Sequence, residues 1–265
     1  MPHGNSASLH YRARMLSHLP AVLMPLDLLA VVLLLLAWAG TGHFCEHPPA
    51  HRPSVSWLMK EHRRAWMREM VSRSPRIFDA SVIDSLRRGT AFFASGSMIA
   101  IGGGMALIGN QDRLETLVED LTLPTDTVRL ELRVILVLFI VANAFLKFVW
   151  AHRVFGYCAI LMAAVPNAPE DPRAYPLAAQ AAEVNINAAR NFNSGLRAVF
   201  FALAALGWLL GPVALILTTL ATSFAILRAE FNSGTRAAIL DTSRIDPRLL
   251  YPVGFGPPPS TGKGG

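Results

Sequence analysis

Hydrophobic residues occur along this chain in four long runs, separated by polar stretches. The clearest run lies in 133–157, which stays apolar for more than a dozen residues apart from Asn143 and then reaches Lys147, Trp150 and Arg153. A helix rises 1.5 Å per residue, so about 20 apolar residues cross a hydrocarbon core roughly 30 Å thick. Cations and aromatic residues beyond such a run are typical of the lipid–water interface. The four runs predict membrane spans at about 24–42, 89–109, 132–151 and 198–227.

The segments between the spans have the periodicity of further helices. These predicted surface helices cover about 55–73, 75–87 and 175–196. The first carries Arg63, Arg64 and Trp66, and its basic residues lie mainly outside a stripe of Trp and Met residues. This pattern fits a helix that lies flat in the membrane interface, or one that packs against the bundle. The third carries a polar stripe, which indicates either a solvent-facing edge or a lined cavity. The stripe consists of Glu183, Asn187, Arg190, Ser194 and Arg197.

The predicted fold class is therefore all-α, a polytopic membrane helix bundle of about four transmembrane helices with amphipathic or cytoplasmic surface helices. Gly211-Pro212 divides the run 198–227. A hairpin within this run would have two arms too short to cross the membrane, so we predict one kinked, tilted helix. We expect a mobile tail at 1–18, the bundle at 19–231 and a disordered tail at 232–265.

Small residues recur every fourth position in the second predicted span. Gly96, Ala100 and Gly104 would let another helix approach closely in lipid, which predicts a helix-packing face. Asp27 near the start of the first span is either a first-turn carboxylate that favours the helix dipole or a functional acid within the membrane.

Composition supports a membrane protein, because 52% of residues are hydrophobic and 16% charged, against roughly 25% charged in a soluble domain. The net charge of +6 comes without a basic–aromatic repeat or zinc-finger spacing, so we expect no nucleic-acid partner. The expected partners are membrane lipids and a small anionic solute, with an oligomer left open. The expected location is the cytoplasmic (inner) membrane, crossed several times.

Lys and Arg concentrate in the connector 44–88, which holds nine of them, whereas the connector 110–131 is acidic. The positive-inside rule then puts 44–88 in the cytoplasm and 110–131 opposite. With four spans, both termini lie outside the cytoplasm. The basic residues of the C-terminal tail oppose this arrangement.

Four polar residues flank the third and fourth spans and form the candidate binding site: Lys147, Arg153, Asn193 and Arg197. If the two spans are neighbours, these residues would converge and bind a phosphate or carboxylate by charge-assisted hydrogen bonds. The alternative is that the cations extend outward to lipid headgroups.

A second cluster has metal-ligand residue types: His43, Cys45, His47 and His51. Two adjacent prolines predict an extended segment without a helical i, i+4 pair, so a solvated loop is the alternative. We predict neither a metal nor a cofactor. Enzyme signatures are absent from the sequence; a headgroup-modifying site would have to be built from His62, His152, Asp79 and Asp84.

Four stretches, HRRAWMREM, RRGTAFFAS, FLKFVWAHRVFGY and NFNSGLRAVFFALAALGW, occur in this order. Together they resemble the domain-of-unknown-function family 599, over roughly 26–231. The resemblance implies about four spans and transfers no activity, substrate or cofactor. Its motif positions here are Arg63, Arg64, Trp66, Arg88, Lys147, Trp150, Arg153, Asn193 and Arg197.

Three functions follow as hypotheses. The first is a small transporter or channel-like bundle with a basic cytoplasmic-side cavity for an anionic solute or lipid headgroup. The second is a non-catalytic scaffold that binds lipid or a partner through 55–73, and the third is a lipid-modifying enzyme.

Overall fold

The computed structural model describes residues 25–49, 51–110 and 127–241, and these residues form helices without β-strands. A 3₁₀ segment, Leu206–Leu210, extends the fifth helix. The helices are α1 (Pro25–Glu46), α2 (Val55–Ser72), α3 (Ile77–Ile108), α4 (Thr127–Ala164), α5 (Ala174–Ala205), α6 (Pro212–Phe231) and α7 (Gly234–Leu240).

Five helical segments are long and apolar enough to cross a membrane: α1, α3, α4, α5 with its 3₁₀ extension, and α6 with α7. The predicted all-α polytopic bundle is confirmed, with five candidate spans where the sequence predicts about four. The protein is an integral, multi-pass membrane protein.

The spans run in alternating directions. At one end, the start of α3 meets the end of α4, because Arg76 donates to the carbonyls of Val165 and Pro166 at 2.7 Å each. At the other end, Trp208 Nε1 donates to Asp27 Oδ1 at 2.7 Å and so ties the 3₁₀ segment to the start of α1. We call the first end the basic end; it comprises α2, the starts of α3 and α5, and the ends of α1, α4 and α6.

Two apolar clusters hold the bundle together. One lies at the basic end, where Met67 and Met70 of α2 pack with Phe155 of α4 and the Ala-rich start of α5. The other joins α1, α4, α5 and α6 and includes Phe148 and Phe201. The first cluster fixes α2 against α5, and the second is the packing core of the membrane-crossing part.

Helices α4 and α5 make the most extensive contact in the bundle. Gly195 permits it, since a Cβ at this position would lie 2.7 Å from a ring carbon of Phe148. In lipid, close backbone approach replaces the hydrophobic driving force that brings helices together in water. This contact sets α5 beside α4 along the length of both helices.

The predicted single helix over 198–227 is wrong. Helix α5 is continuous from Ala174 to Ala205 and, with its 3₁₀ extension, is long and apolar enough to cross a membrane, and α6 supplies a second helix of 20 residues. Gly211 joins them with φ +115° and ψ 172°, a conformation that favours glycine. Both segments are therefore long enough to cross a membrane, because the residues predicted as the surface helix 175–196 belong to α5.

The first described helix starts at one end of the bundle and the last ends at the other. Arg236 of α7 donates to the Pro53 carbonyl at 2.9 Å, at the basic end. With five candidate spans, the first described helix begins and the last one ends at opposite ends of the bundle, where the predicted four spans would put them on the same side. Helix α7, capped by Ser233, also occupies part of the tail predicted to be disordered from 232; the tails 1–18 and 242–265 lie outside the described residues.

Of the two glycines in the predicted packing face of α3, Gly104 meets another helix closely and Gly96 does not. A Cβ at Gly104 would lie 3.1 Å from Leu138 Cγ of α4, whereas a Cβ at Gly96 would have nothing within 4 Å. Gly96 and Ala100 line an apolar groove of about 460 Å³ between α3, α4 and α5.

Asp27 is a buried first-turn acid with specific partners. Beyond the Trp208 bond, its Oδ1 lies 4.0 Å from Arg133 Nη2, and the Arg133 guanidinium lies 5.7 Å from the Trp208 ring centroid. These contacts give Asp27 a structural role at the end opposite the basic end.

Candidate functional site

A polar cavity of about 290 Å³ lies at the basic end, between the end of α1, the first half of α2, the middle of α5 and the end of α6. Its cations come from α2 and α5, and its carboxylates from α1 and α6. The charged and amide side chains that line it are Lys60, Arg63, Arg190, Asn193, Arg197, Glu46 and Glu230.

The α5 wall is one face of a helix. Ile186, Arg190, Asn193 and Arg197 follow each other at steps of three or four residues, so their side chains share a side. The polar stripe predicted from the sequence shares only Arg190 and Arg197 with this wall. The true stripe is displaced by part of a turn, because Asn185 and Ile186, not Glu183, face the interior.

The α2 wall begins at a capped helix start. Ser54 Oγ accepts from Trp57 N at 3.1 Å and donates to the Cys45 carbonyl at 2.7 Å, so the cap also attaches α2 to the end of α1. Lys60 and Arg63 lie one turn apart on the cavity side. Arg63 donates to Asn185 Oδ1, and Asn185 itself is fully buried.

The two carboxylates of the cavity are engaged. Arg197 donates to Glu46 Oε1 at 2.5 Å, with the Arg197 side chain 7% exposed. Glu230 accepts from the Ser56 backbone N–H at 2.9 Å and from its hydroxyl at 2.6 Å. A carboxylate thus already binds the positive start of α2, where a helix favours anions.

The other three cations lack a carboxylate partner. Among the described residues, Lys60, Arg63 and Arg190 have no carboxylate oxygen within 4.0 Å, and Arg63 is held by a neutral amide. Burial lowers the pKa of Arg63, and burial followed by repulsion from Arg190 lowers the pKa of Lys60 below its ordinary 10.5. Four cations face two carboxylates, which leaves the cavity with a net charge of +2.

The structure brings together two of the four residues predicted to converge. Asn193 and Arg197 line the cavity, and Asn193 Nδ2 lies 3.4 Å from Ser56 Oγ. Lys147 and Arg153 do not line it. The Arg153 guanidinium is exposed and stacks over Trp150 and Tyr157 of its own helix, at 5.7 and 5.6 Å from the ring centroids, as expected for a cation directed outward.

Helix α2 packs against the bundle, the second of the two arrangements that its sequence pattern allows. Arg64 pairs with Glu61 and Glu183 on the outer side, at 2.5 and 2.7 Å, while Arg63 beside it turns inward. Trp66 Nε1 donates to Asp79 Oδ1 at 2.7 Å and so attaches α2 to the start of α3.

The segment predicted to be extended is helical as far as Glu46, because the prolines act only after the helix has ended. The rings of His43 and His47 consequently stack at 4.9 Å on the exposed surface, while Cys45 is buried in the bundle and lines the cavity. His51 is exposed. Within 25–49, 51–110 and 127–241, no three His, Cys, Asp or Glu side chains are grouped as a metal would require.

The four residues considered for catalysis do not share a cavity in the described structure. Asp79 and Asp84 line one at the start of α3, His152 lines an adjoining groove, and His62 is exposed on α2.

The sequence analysis did not identify Lys60, Arg190, Glu46 and Glu230 as site residues. The α5 residues carried a usable signal, since Arg190, Asn193 and Arg197 are polar positions at helical spacing in an otherwise Ala-rich helix. Nothing local distinguishes Lys60 or Glu230, because only tertiary packing turns them toward the cavity.

Comparison with known proteins confirms the resemblance. Neither the curated proteins nor the solved structures give a match. The family described as "Protein of unknown function, DUF599" matches residues 29–235, most of the chain, and this protein therefore belongs to that family.

Proposed function

We propose that this protein binds a small anion in the basic cavity and moves it across the membrane as a small transporter or channel-like bundle. The observation that carries the proposal is the charge of the cavity: four cations face two carboxylates, and three of the cations have no carboxylate partner. A phosphate or carboxylate group is the chemistry that these residues recognise.

The arrangement favours an anion for a physical reason. Arg63 is partly buried and donates to the Asn185 amide, so no carboxylate offsets its burial. A bound anion would supply that charge through hydrogen bonds from guanidinium and ammonium groups, which are stronger than neutral ones. Asn193 adds an amide donor on the same face of α5.

The size of the cavity limits the ligand. About 290 Å³ lies at the lower limit of small-molecule sites, which suits a phosphate, a carboxylate or a single headgroup. Free solute and lipid headgroup share this chemistry. The transport part of the proposal is supported by the position of the cavity between helices α1, α5 and α6, each of which is a candidate span.

Binding is tested on the purified full chain in detergent, by calorimetric titration with inorganic phosphate and, separately, with a soluble short-chain phosphatidic acid. Arg63→Gln and Arg190→Gln should each weaken binding about tenfold, the usual effect of losing a charged hydrogen bond. Arg64→Gln is the matched control, since Arg64 lies next to Arg63 but pairs outside the cavity. Equal losses in all three variants, or no binding of either ligand by the wild type, would refute the anion site.

Transport is tested in proteoliposomes loaded with radiolabelled phosphate. Flux that Arg63→Gln abolishes and Arg64→Gln retains supports a transporter. Binding of the lipid probe without phosphate binding or flux favours the scaffold, and turnover of the headgroup favours the lipid-modifying enzyme.

A further inference from the structure

A second cavity of about 350 Å³ lies at the basic end, between the end of α2, the start of α3 and the end of α4. Its charged residues are Arg76, Asp79, Asp84 and Arg87 of α3 or its N-terminal flank, and Asn167 adds an amide. Met70, Ile83 and Met162 supply apolar walls. Unlike the basic cavity, this one has balanced charge, with two cations and two carboxylates.

Two of these residues carry buried polar atoms without a partner. Asp79 is fully buried; its Oδ1 accepts from Trp66 at 2.7 Å and from Arg73 at 2.6 Å, but its Oδ2 has no hydrogen-bond partner in the described structure. Arg87 Nε is also buried and has no hydrogen-bond partner in the described structure. Buried polar atoms are almost always hydrogen-bonded, so a carboxylate acceptor and a guanidinium donor that both lack partners indicate a ligand.

The remaining charged groups of the cavity are already used. Arg76 donates to the backbone carbonyls of Met70, Val165 and Pro166, and Asp84 pairs with Arg88. A ligand would therefore need a donor for Asp79 Oδ2 and an acceptor for Arg87 Nε. A zwitterion with an ammonium and a phosphate supplies both without adding net charge.

The surroundings indicate an amphipathic molecule. Helix α3 has 32 residues and is about 48 Å long, so its first turns extend beyond a hydrocarbon core roughly 30 Å thick. Arg87, Ala159 and Ala163 also line a more open, mostly apolar groove that continues along α4 past Gly156 and Ile160. The polar groups along this groove come from His152, Arg153 and Tyr157. A headgroup in the cavity would place an acyl chain in this groove.

We infer that this cavity binds the headgroup of a zwitterionic phospholipid with a primary amine, of the phosphoethanolamine type. The ammonium donates to Asp79 Oδ2 and the phosphate accepts from Arg87 Nε. A phosphocholine headgroup lacks an N–H to donate, and a phosphoglycerol headgroup carries a net negative charge. The cavity should discriminate against both.

The test uses native mass spectrometry of the full chain with phosphatidylethanolamine, phosphatidylcholine and phosphatidylglycerol of identical acyl chains. The wild type should bind the ethanolamine lipid at least fivefold more tightly than either of the others. Arg87→Gln should remove this preference, and Arg87→Lys should remove it too, since lysine keeps the charge but loses the Nε–H donor. Arg64→Gln is the control, because Arg64 pairs with Glu61 and Glu183 on the outer side of α2 and lines neither cavity nor groove.

Asp79→Asn should also remove the preference, but Asp79 holds Trp66 and Arg73, so the Arg87 variants decide if this one fails to fold. Equal binding of the three lipids by the wild type, a preference for the glycerol lipid, or an unchanged preference in both Arg87 variants would overturn the inference. So would an equal loss in Arg64→Gln, which would indicate general attraction by surface charge.

Discussion

Arg197, three-quarters of the way along α5, forms an ion pair of 2.5 Å with Glu46, the last residue of α1. The pair joins two membrane helices and also sets the charge of the basic cavity. Glu46→Gln should therefore lower the stability of the protein and raise its affinity for phosphate. It should lower stability by about 2 kcal/mol, since the guanidinium of Arg197 loses its carboxylate partner. It should strengthen phosphate binding about fivefold by raising the cavity charge from +2 to +3.

Arg197→Gln separates these effects. It should lower stability by a similar amount, about 2 kcal/mol, but weaken phosphate binding, because it removes a cation from the cavity. Melting temperature and calorimetric affinity measure the two quantities independently. If both variants weaken binding equally, the pair acts only through the shape of the cavity and its charge is irrelevant.

The direction of the helices predicts which positions are accessible from each side of the membrane. Ser72 and Gly234 are exposed at the basic end, and Asn110 follows the opposite end of α3. With Cys at these positions, an impermeant maleimide should label Asn110→Cys from one side, and Ser72→Cys with Gly234→Cys from the other. The native cysteines are buried and give a low background.

This experiment distinguishes five crossings from four. Four crossings would place Gly234→Cys on the same side as Asn110→Cys. By the positive-inside rule, the basic end should be the cytoplasmic one, where Arg236 of α7 lies with the connector 44–88.

Close packing of α3 against α4 depends on one glycine. Gly104→Leu should destabilise the protein by about 1–3 kcal/mol, because a side chain there must displace Leu138. Gly96→Leu is the matched control, since an added Cβ at this position meets nothing within 4 Å. Melting in detergent should fall for the first variant and not for the second; an equal fall in both would mean that the whole small-residue stripe contacts a helix.

Much of the fold could be predicted from the apolar runs, because a backbone in lipid has to satisfy its hydrogen bonds within a helix. The reversal of the chain at Gly211 could not be predicted in this way. A Gly-Pro pair fits both a kink and a reversal, and the outcome depends on where α5 begins. Its continuous start at Ala174 is stabilised by α2 packing alongside it, a contact between segments more than 100 residues apart.

The site could be predicted only in part for the same reason. Asn193 and Arg197 are notable in sequence because they interrupt an apolar helix. Arg63 and Arg64 are identical in sequence terms, yet Arg63 lies against buried Asn185 and Arg64 pairs on the outside. The burial of Met67, Met70 and Val71 against α4 and α5 fixes the rotation of α2, and no local pattern shows that rotation.

The last prediction concerns pH. The pKa of Lys60 lies below its ordinary 10.5 because burial disfavours the charged form and Arg190 repels it; Arg64 adds to this repulsion, whereas Glu46 and Glu183 oppose the shift. A bound anion favours the charged form. Sulfate affinity should therefore fall as the pH rises through the lowered pKa, still below 10.5. Sulfate is the appropriate probe because its own charge stays constant over this range.

The pH dependence of stability has the opposite sign to the pH dependence of sulfate affinity. Between the lowered pKa and 10.5, the unfolded chain binds more protons than the folded one, so the Lys60 contribution to stability improves as the pH rises. Without ligand, Lys60→Met should accordingly stabilise the protein at neutral pH while it weakens sulfate binding. Melting temperature and calorimetry at the same pH measure both effects.

Two variants show whether Lys60 is the titrating group. Lys60→Arg keeps a permanent cation and should bind sulfate with an affinity that no longer falls between neutral pH and 10.5. Arg190→Gln removes a repelling charge, so although binding is weaker overall, the fall should move to higher pH. Because Cys45 also lines the cavity, Cys45→Ser serves as the control and should leave the pH dependence unchanged. A fall that persists in Lys60→Arg but disappears in Cys45→Ser would assign the pH dependence to the thiol and remove Lys60 from the anion site.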